Sequence, residues 1–357
     1  MHKDFYEKIK QIFPYEAFER WFLQNRRDFP WRRDPTPYKV WISEVMLQQT
    51  RASVVVFYFE RWMALFPDVS TLAKASFTKV LKAWEGLGYY QRVRNLHLCA
   101  KKIYKDFQGK IPDNETDLQS LPGLGPYTRG ALLAFGFKKR SAAVDANAMR
   151  AMARYFLIEE NISKEKTKKE MFALQEKILP KKDPHILVEA WIELGSTVCS
   201  SIPKCTRCPL AKECLAHRQK KEVALPILAK RKEITELKRV VLVVENNGSF
   251  LLQKRGKKEL MGDLFEFPYF ELQKGKISKR KIASWALLDL GIGIHQIRAL
   301  DVEKQSFTLF RATLFPFFAI SHSSSVHPSY QWVEKTFLGM LSFSAGHRRI
   351  LQKVLAR

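Results

Sequence analysis

Four cysteines within sixteen residues, Cys199, Cys205, Cys208 and Cys214, follow the spacing C-x5-C-x2-C-x5-C. No other feature constrains the chain as strongly. Thiolates this close in sequence can converge on one metal centre, either a single zinc or an iron–sulfur cluster, and spacing alone does not choose between them. His217 lies close by as a zinc-style alternative ligand. Cys99, within a helical pattern, reads as core. Packing four of the five cysteines into one short stretch is unlike a secreted disulfide framework.

The cysteine segment also marks a change of pattern. Up to about residue 215, segments such as TKVLKAWEGL, NLHLCAKKIYKDF and KEMFALQEKILP place apolar residues three and four apart, as helices do. The N-terminus reads as an amphipathic helix with Phe5, Ile9, Ile12 and Phe13 on one face. Residues 216–238 are charged and read as a linker. Beyond it, VVLVVENNGSFLLQKR reads as a hairpin turning at Asn246-Asn247-Gly248. FEFPYFEL and SFTLFRATLFPFFAI read as strands, and KISKRKIASWALLDLG as a short helix. The expected organisation is a helical domain over 1–215, a linker over 216–238 and a mixed α and β domain over 239–357.

Lys and Arg outnumber Asp and Glu by 61 to 36, a net charge of +25. An excess carried by both halves points to a polyanionic partner, nucleic acid before membrane, although charge reports on association and not on fold. No run of 18 apolar residues is present, and the first residues lack a signal-peptide core, so a cytoplasmic location, or the nucleoid of a bacterium, is expected.

Three places carry chemistry. In LPGLGPYTRGALLAF (121–135), a G-x-G turn between helical segments offers backbone N–H groups to a DNA phosphate, or is an ordinary Gly-capped turn. Glu44 stands among Val40, Trp41, Ile42, Val45, Met46 and Leu47, where burial would raise its pKa and fit it to donate a proton near neutrality, unless it is a partnered core acid or surface residue. Asp145 precedes a helical run and serves equally well as a second carboxylate or as a helix N-cap.

PWRRDPTPYKVWISEVMLQQT (30–50), WEGLGYYQRVRNLH (84–97), LPGLGPYT (121–128) and the cysteine segment, in this order, resemble the MutY family of adenine DNA glycosylases, within the helix–hairpin–helix superfamily. The likeness spans most of 15–215 and, more weakly, 238–345. It implies an all-α HhH-GPD glycosylase domain with an iron–sulfur module, followed by an α+β Nudix-like domain that reads the lesion. The implied reaction removes adenine opposite 8-oxoguanine or guanine in double-stranded DNA, by a monomeric enzyme without lyase activity. Glu44 matches the acid that protonates adenine, and Asp145 the carboxylate that stabilises the developing sugar cation. Tyr127 and Asn147 match polar groups beside that centre. Arg27, Trp31, Arg32, Leu47 and Glu189 match positions lining or flanking the adenine pocket. Gln49 and Tyr89 match side chains entering the base stack. Leu121, Gly123 and Gly125 match the DNA-holding hairpin, and Phe307 and Thr308 the lesion-reading loop. The cysteines match ligands of a [4Fe–4S] cluster. Such chemistry suits a flipped-out base, an acid on the leaving group and negative charge beside an oxocarbenium-like sugar.

Four departures from the family pattern stand out. Asp-Gly-Asn is Asp145-Ala146-Asn147, which requires position 146 to avoid positive φ. The first cysteine gap is five residues where six is usual. The Phe-Ser-His loop reads Phe307-Thr308-Leu309. Trp-Gly-Gly-Leu-Tyr/Trp reads Met261-Gly262-Asp263-Leu264-Phe265 with no clustered glutamates after it, so pyrophosphate hydrolysis is not expected. The nearest alternative is an endonuclease III-like glycosylase/lyase, whose Schiff-base lysine falls at the position of Tyr127. A DNA-binding metalloprotein without catalysis is the alternative from another class. Lys254, Arg255, Lys257 and Lys258 are expected to approach phosphate.

Overall fold

The computed structural model describes residues 13–230, 233–257, 259, 261–272, 277–323 and 325–356. The helix expected over the first residues, apart from Phe13, and Lys258 fall outside them. Two compact units form: residues up to Lys74 with Asn95–Lys230, and Ala75–Arg94 with the chain after Lys230. This differs from the expected organisation in two places. Residues 75–94 group with the C-terminal chain because Glu85 and Arg94 are paired there with Arg348 and Asp263. The segment read as a linker is docked on the helical unit as far as Ala229: Leu225 is buried, its carbonyl accepts from Arg154 Nε at 2.9 Å, and Ile227 O accepts from Ile162 N at 3.0 Å.

The helical unit begins with α1 (Tyr15–Asn25), α2 (Pro30–Arg33), α3 (Pro37–Leu47), α4 (Ala52–Leu65) and α5 (Val69–Lys74). Thr36 caps α3 through Lys39 N, and Pro37 supplies the first helical φ. Tyr38 and Val40 to Met46 are buried, so α3 is apolar around its circumference and runs through the interior. That explains why Glu44 sits inside rather than on a solvated face. Next come α7 (Gln91–Asp106), whose first turn belongs to the other unit, α8 (Glu115–Gln119) and α9 (Pro126–Ala131), which continues as a π turn to Gly136. α10 (Ala146–Tyr155), α11 (Glu165–Ile178), α12 (Pro184–Thr197) and α13 (Leu215–Arg218) complete the unit. α12 passes against the start of α10 at Gly195, where a Cβ would lie 2.2 Å from Asn147 O. Only glycine permits that approach.

The second unit contains α6 (Phe77–Trp84) and a mixed sheet of β1 (Thr235–Asn246), β2 (Ser249–Lys254), β3 (Phe265–Glu266), β4 (Tyr269–Glu271), β5 (His295–Ala299), β6 (Glu303–Phe307), β7 (Phe310–Ile320) and β8 (Gln331–Glu334). β1 and β2 form the expected hairpin, with Asn247 and Gly248 both at positive φ as a two-residue turn demands. β1 also pairs in parallel with β7 from Thr235↔Phe310 to Glu245↔Ile320. Its continuous apolar run follows from burial on both faces. Val241 and Val243 pack with Phe343, Ile350 and Leu351, some of them from α15 (Ala345–Leu355). Val240, Leu242 and Val244 pack on Ile282, Ala286 and Leu290 of α14 (Lys279–Leu290). Two strand readings are corrected. SFTLFRATLFPFFAI folds back on itself as the hairpin of β6 and β7, with Thr308 at φ +49 in the turn. FEFPYFEL is broken into β3 and β4 by Phe267-Pro268.

Candidate active site

The helical unit brings together Glu44 from α3, Tyr127 from α9 and Asp145 from the start of α10. Tyr127 OH donates to Glu44 Oε2 at 2.6 Å. Burial raises the Glu44 carboxyl to about 7; Tyr127's hydrogen bond opposes the shift, Asp145 adds to it, and Arg32 and Glu189 act in opposite senses. Burial and the neighbouring carboxylates hold the Tyr127 phenol well above its ordinary value, so it remains a donor.

Asp145 takes the N-cap position weighed for it and also stands close enough to Glu44 to raise that carboxyl. It is the N-cap of α10, its Oδ1 accepting from Ala148 N at 2.7 Å, while Oδ2 accepts from Asn147 Nδ2 at 2.8 Å. Burial raises its pKa, and these donors pull the other way. A carboxylate tied by backbone and amide donors retains a fixed orientation when charged. Ala146 is the first residue of the helix and is not at positive φ, so the missing glycine costs nothing there. Asn147 Oδ1 in turn accepts from Arg150 at 3.0 Å, and Arg150 donates to Gly195 O at 2.6 Å and Cys199 O at 2.9 Å.

Arg27 and Arg32 do not extend freely into this space. Both bind Glu193, at 2.5 Å and 2.8 Å, and the Glu193 side chain is wholly buried. Arg32 Nε also lies 3.3 Å from Glu189, whose pKa burial raises. Glu193 was missed by reading the sequence, although it follows Glu189 by one helical turn on α12 and so faces the same side. Trp31 is buried, stacked on Phe29 with centroids 4.7 Å apart. Leu47 is half-buried at the end of α3.

The residues matched to DNA contact separate by exposure. Gln49 is exposed at φ +58 and Tyr89 at φ +47. Leu121 is 3% exposed, so its side chain belongs to the core and only its backbone could meet DNA. Gly123 has φ +81, with Asn95 Cβ 2.6 Å from where its own Cβ would be, and Gly125 precedes α9 as its N-cap. Phe307 stacks on Phe310 beside the Thr308 turn. Arg255 is engaged within its own unit by Glu259 at 3.1 Å and Glu266 at 3.8 Å. Lys254 and Lys257 are exposed.

All four clustered cysteines line one small pocket, partly open to solvent, with Arg154, His217 and Glu222. They are free thiols. Burial pushes Cys208 up to about 12 and raises Cys205 and Cys214; Glu222 and Cys199 add to the shift at Cys205, and neighbouring cysteines to those at Cys208 and Cys214. Half-buried thiols that oppose one another's ionisation around a shared hollow suit a cationic metal centre, whose charge would reverse that repulsion. Donor atoms of Cys205, His217 and Glu222 lie within 4.8 Å of one another, so the donor set could bind metal. Arg154 Nη1 lies 3.3 Å from Cys199 Sγ. No described helix is long and apolar enough to cross a membrane.

Residues 42–177 match the family model for the HhH-GPD superfamily base excision DNA repair protein, and residues 239–353 that for the NUDIX domain. An adenine DNA glycosylase from Buchnera aphidicola subsp. Schizaphis graminum (strain Sg) is 33% identical over 268 residues, 72% of this chain and 77% of that protein. The Homo sapiens adenine DNA glycosylase is 37% identical over 56% of this chain and 38% of its own length. The structure of a thermostable thymine-DNA glycosylase aligns with a TM-score of 0.55 at 27% identity, covering 60% of this chain and 98% of that one. With the paired carboxylates in a helical HhH-GPD unit and a Nudix-like unit after it, the chain belongs to the adenine DNA glycosylase family.

Proposed function

We propose that this chain hydrolyses the N-glycosidic bond of adenine opposite 8-oxoguanine or guanine in duplex DNA. The observation that carries the reading is a buried carboxyl, Glu44, raised by burial to about 7 and hydrogen-bonded by Tyr127, beside a second carboxylate held by two donor groups. Tyr127 occupies Glu44 Oε2 as a donor, which leaves Oε1 to carry the proton toward a ring nitrogen of the flipped base. Protonated adenine leaves with the bonding electrons, and the sugar is left as an oxocarbenium-like cation. Asp145 stabilises that charge by its own, and water supplies the new C–O bond and loses a proton. The phenol at position 127 cannot form a Schiff base, which favours a product with an intact strand. Duplexes carrying adenine opposite guanine, 8-oxoguanine or thymine should separate the readings. Adenine should be released from the first two, with strand breakage only after alkali. Efficient borohydride trapping of the protein on DNA would reject this in favour of the lyase.

Thr308 at the hairpin tip retains a hydroxyl for the N7 side of the opposite purine, whereas Leu309 offers no donor. Preference for 8-oxoguanine over guanine is therefore expected to be reduced by about tenfold relative to a Phe-Ser-His loop, the worth of one hydrogen bond.

A [4Fe–4S] cluster would be held by Cys199, Cys205, Cys208 and Cys214, and when bound would brace the loop and its DNA-facing surface without taking part in catalysis. Protein prepared without air should be brown with about four irons per chain. Colourless active protein carrying about one zinc would overturn that assignment.

A further inference from the structure

We propose that Asp263 and Arg348 of the C-terminal chain are positioning residues for the turn that exposes Tyr89, clamping it at both ends so that its ring can enter a base stack. The inference rests on the glycosylase reading above.

Residues 85–94 belong to the same compact unit as the sheet. At one end, Glu85 Oε1 accepts from Arg348 Nε at 2.7 Å and from Phe343 N at 2.8 Å, and its Oε2 accepts from Lys82 Nζ at 2.7 Å. Lys82 also donates to Leu341 O at 2.9 Å, and Arg348 to the same carbonyl. At the other end, Arg94 binds the Asp263 carboxylate and the Gly262 carbonyl with different guanidinium nitrogens. The four charged side chains are between 7% and 19% exposed. Pairs this dry lose far more when one partner is neutralised than pairs on the surface do.

The turn between these anchors is strained. Gly86, Gly88 and Tyr89 all have positive φ, at +103°, +70° and +47°. Tyrosine is rarely found there, and such a conformation persists only where the surroundings impose it. Trp84 Nε1 donates to Gly88 O at 3.0 Å, and the Arg92 guanidinium lies 5.5 Å from the Tyr89 ring centroid. Tyr89 is 46% exposed on a chain of net charge +25, and an exposed aromatic backed by a cation is a stacking platform for a base.

Asp263 is itself in a constrained turn. Met261 and Asp263 have φ +60° and +62°, and a Cβ on Gly262 would lie 2.5 Å from Gly256 O. That turn presents a carboxylate and a carbonyl together to one guanidinium. A glycine at position 263, which the family stretch carries, would relieve the backbone but remove the carboxylate. The ion pair is thus a property of this chain.

The test is a double-mutant cycle on wild type and on Asp263→Asn with Glu85→Gln, each with and without Tyr89→Ala. Both amide substitutions preserve size, and asparagine tolerates left-handed φ, so only charge is removed. Two readouts are taken: single-turnover adenine release, and fluorescence of 2-aminopurine placed next to the mispair, which reports unstacking without chemistry. In wild type, Tyr89→Ala should cost about tenfold in each, a typical stacking contribution. In the unclamped background the same change should cost less than about twofold. An equal Tyr89→Ala penalty in both backgrounds, or none in wild type, overturns the proposal. Mere destabilisation would lower the titrated active fraction and leave the Tyr89 penalty intact, which counts against it equally. Should the double amide variant not fold, Arg348→Lys, which keeps charge but not the two-pronged contact, takes its place under the same criteria. Fluorescence that behaves as expected in a protein that releases no adenine would overturn the glycosylase reading and leave the clamp standing.

Discussion

Glu44→Gln should lower single-turnover adenine release by about a thousandfold, within the range that general acid catalysis supplies, while duplex binding measured by anisotropy is largely retained. Glutamine keeps the volume and can still accept from Tyr127 OH, now 2.6 Å from Glu44 Oε2, but it has no proton to give. Wild type should also show a pH profile that the variant lacks. The raised carboxyl is protonated, and so active as an acid, at pH values below about 7, and the rate should fall as pH rises through that value. A limb on the acidic side should come from Asp145, whose pKa is raised by burial and which must be ionised to stabilise the sugar cation. A near wild-type rate for Glu44→Gln, or a rate that climbs through pH 7, would remove Glu44 as the acid.

Asp145→Asn should cost about a hundredfold to a thousandfold in the same assay, with little change in melting temperature. The separation of these effects follows from the dual position of Asp145. Asparagine is as good an N-cap as aspartate, and its amide oxygen can still accept from Ala148 N, so the helix is preserved and the negative charge is lost. Asp145→Ala would add the loss of the cap, about 1 kcal/mol of stability. If the asparagine variant releases adenine at the wild-type rate, the charge has no catalytic part and Asp145 is a cap alone; if it melts as early as the alanine variant, the amide does not replace the cap and the two effects are not separated.

What the sequence determined by itself is local. The Asn247-Gly248 turn could be read because two positive φ angles in succession require residues that tolerate them. The capping position of Asp145 was visible because a side-chain oxygen before a helix reaches only the next few N–H groups. The cysteines could be read as one group because short loops at this spacing can turn four thiols to a common centre, and all four line one pocket. The apolar neighbours of Glu44 signalled burial, since a helix apolar on every side has nowhere to expose one residue.

Tertiary structure decided the rest. Glu44 and Asp145 lie about a hundred residues apart, and nothing between them in the sequence records that the fold brings the two carboxyls close enough to influence one another. Arg27 and Arg32 turn to Glu193 because a carboxylate with no solvent must be paired by whatever cation its surroundings bring near. The parallel pairing of β1 with β7 joins residues 75 apart and leaves no local trace, because apolar runs specify burial but not partner. The same limit explains SFTLFRATLFPFFAI: its composition is that of a strand throughout, and only the antiparallel partners of Glu303–Phe307 impose the turn at Thr308. Residues 75–94, helical in pattern like their neighbours, join the C-terminal chain through ion pairs at Glu85 and Arg94. A charge in a sequence shows that a partner is needed when it is buried, and the fold alone determines which partner arrives.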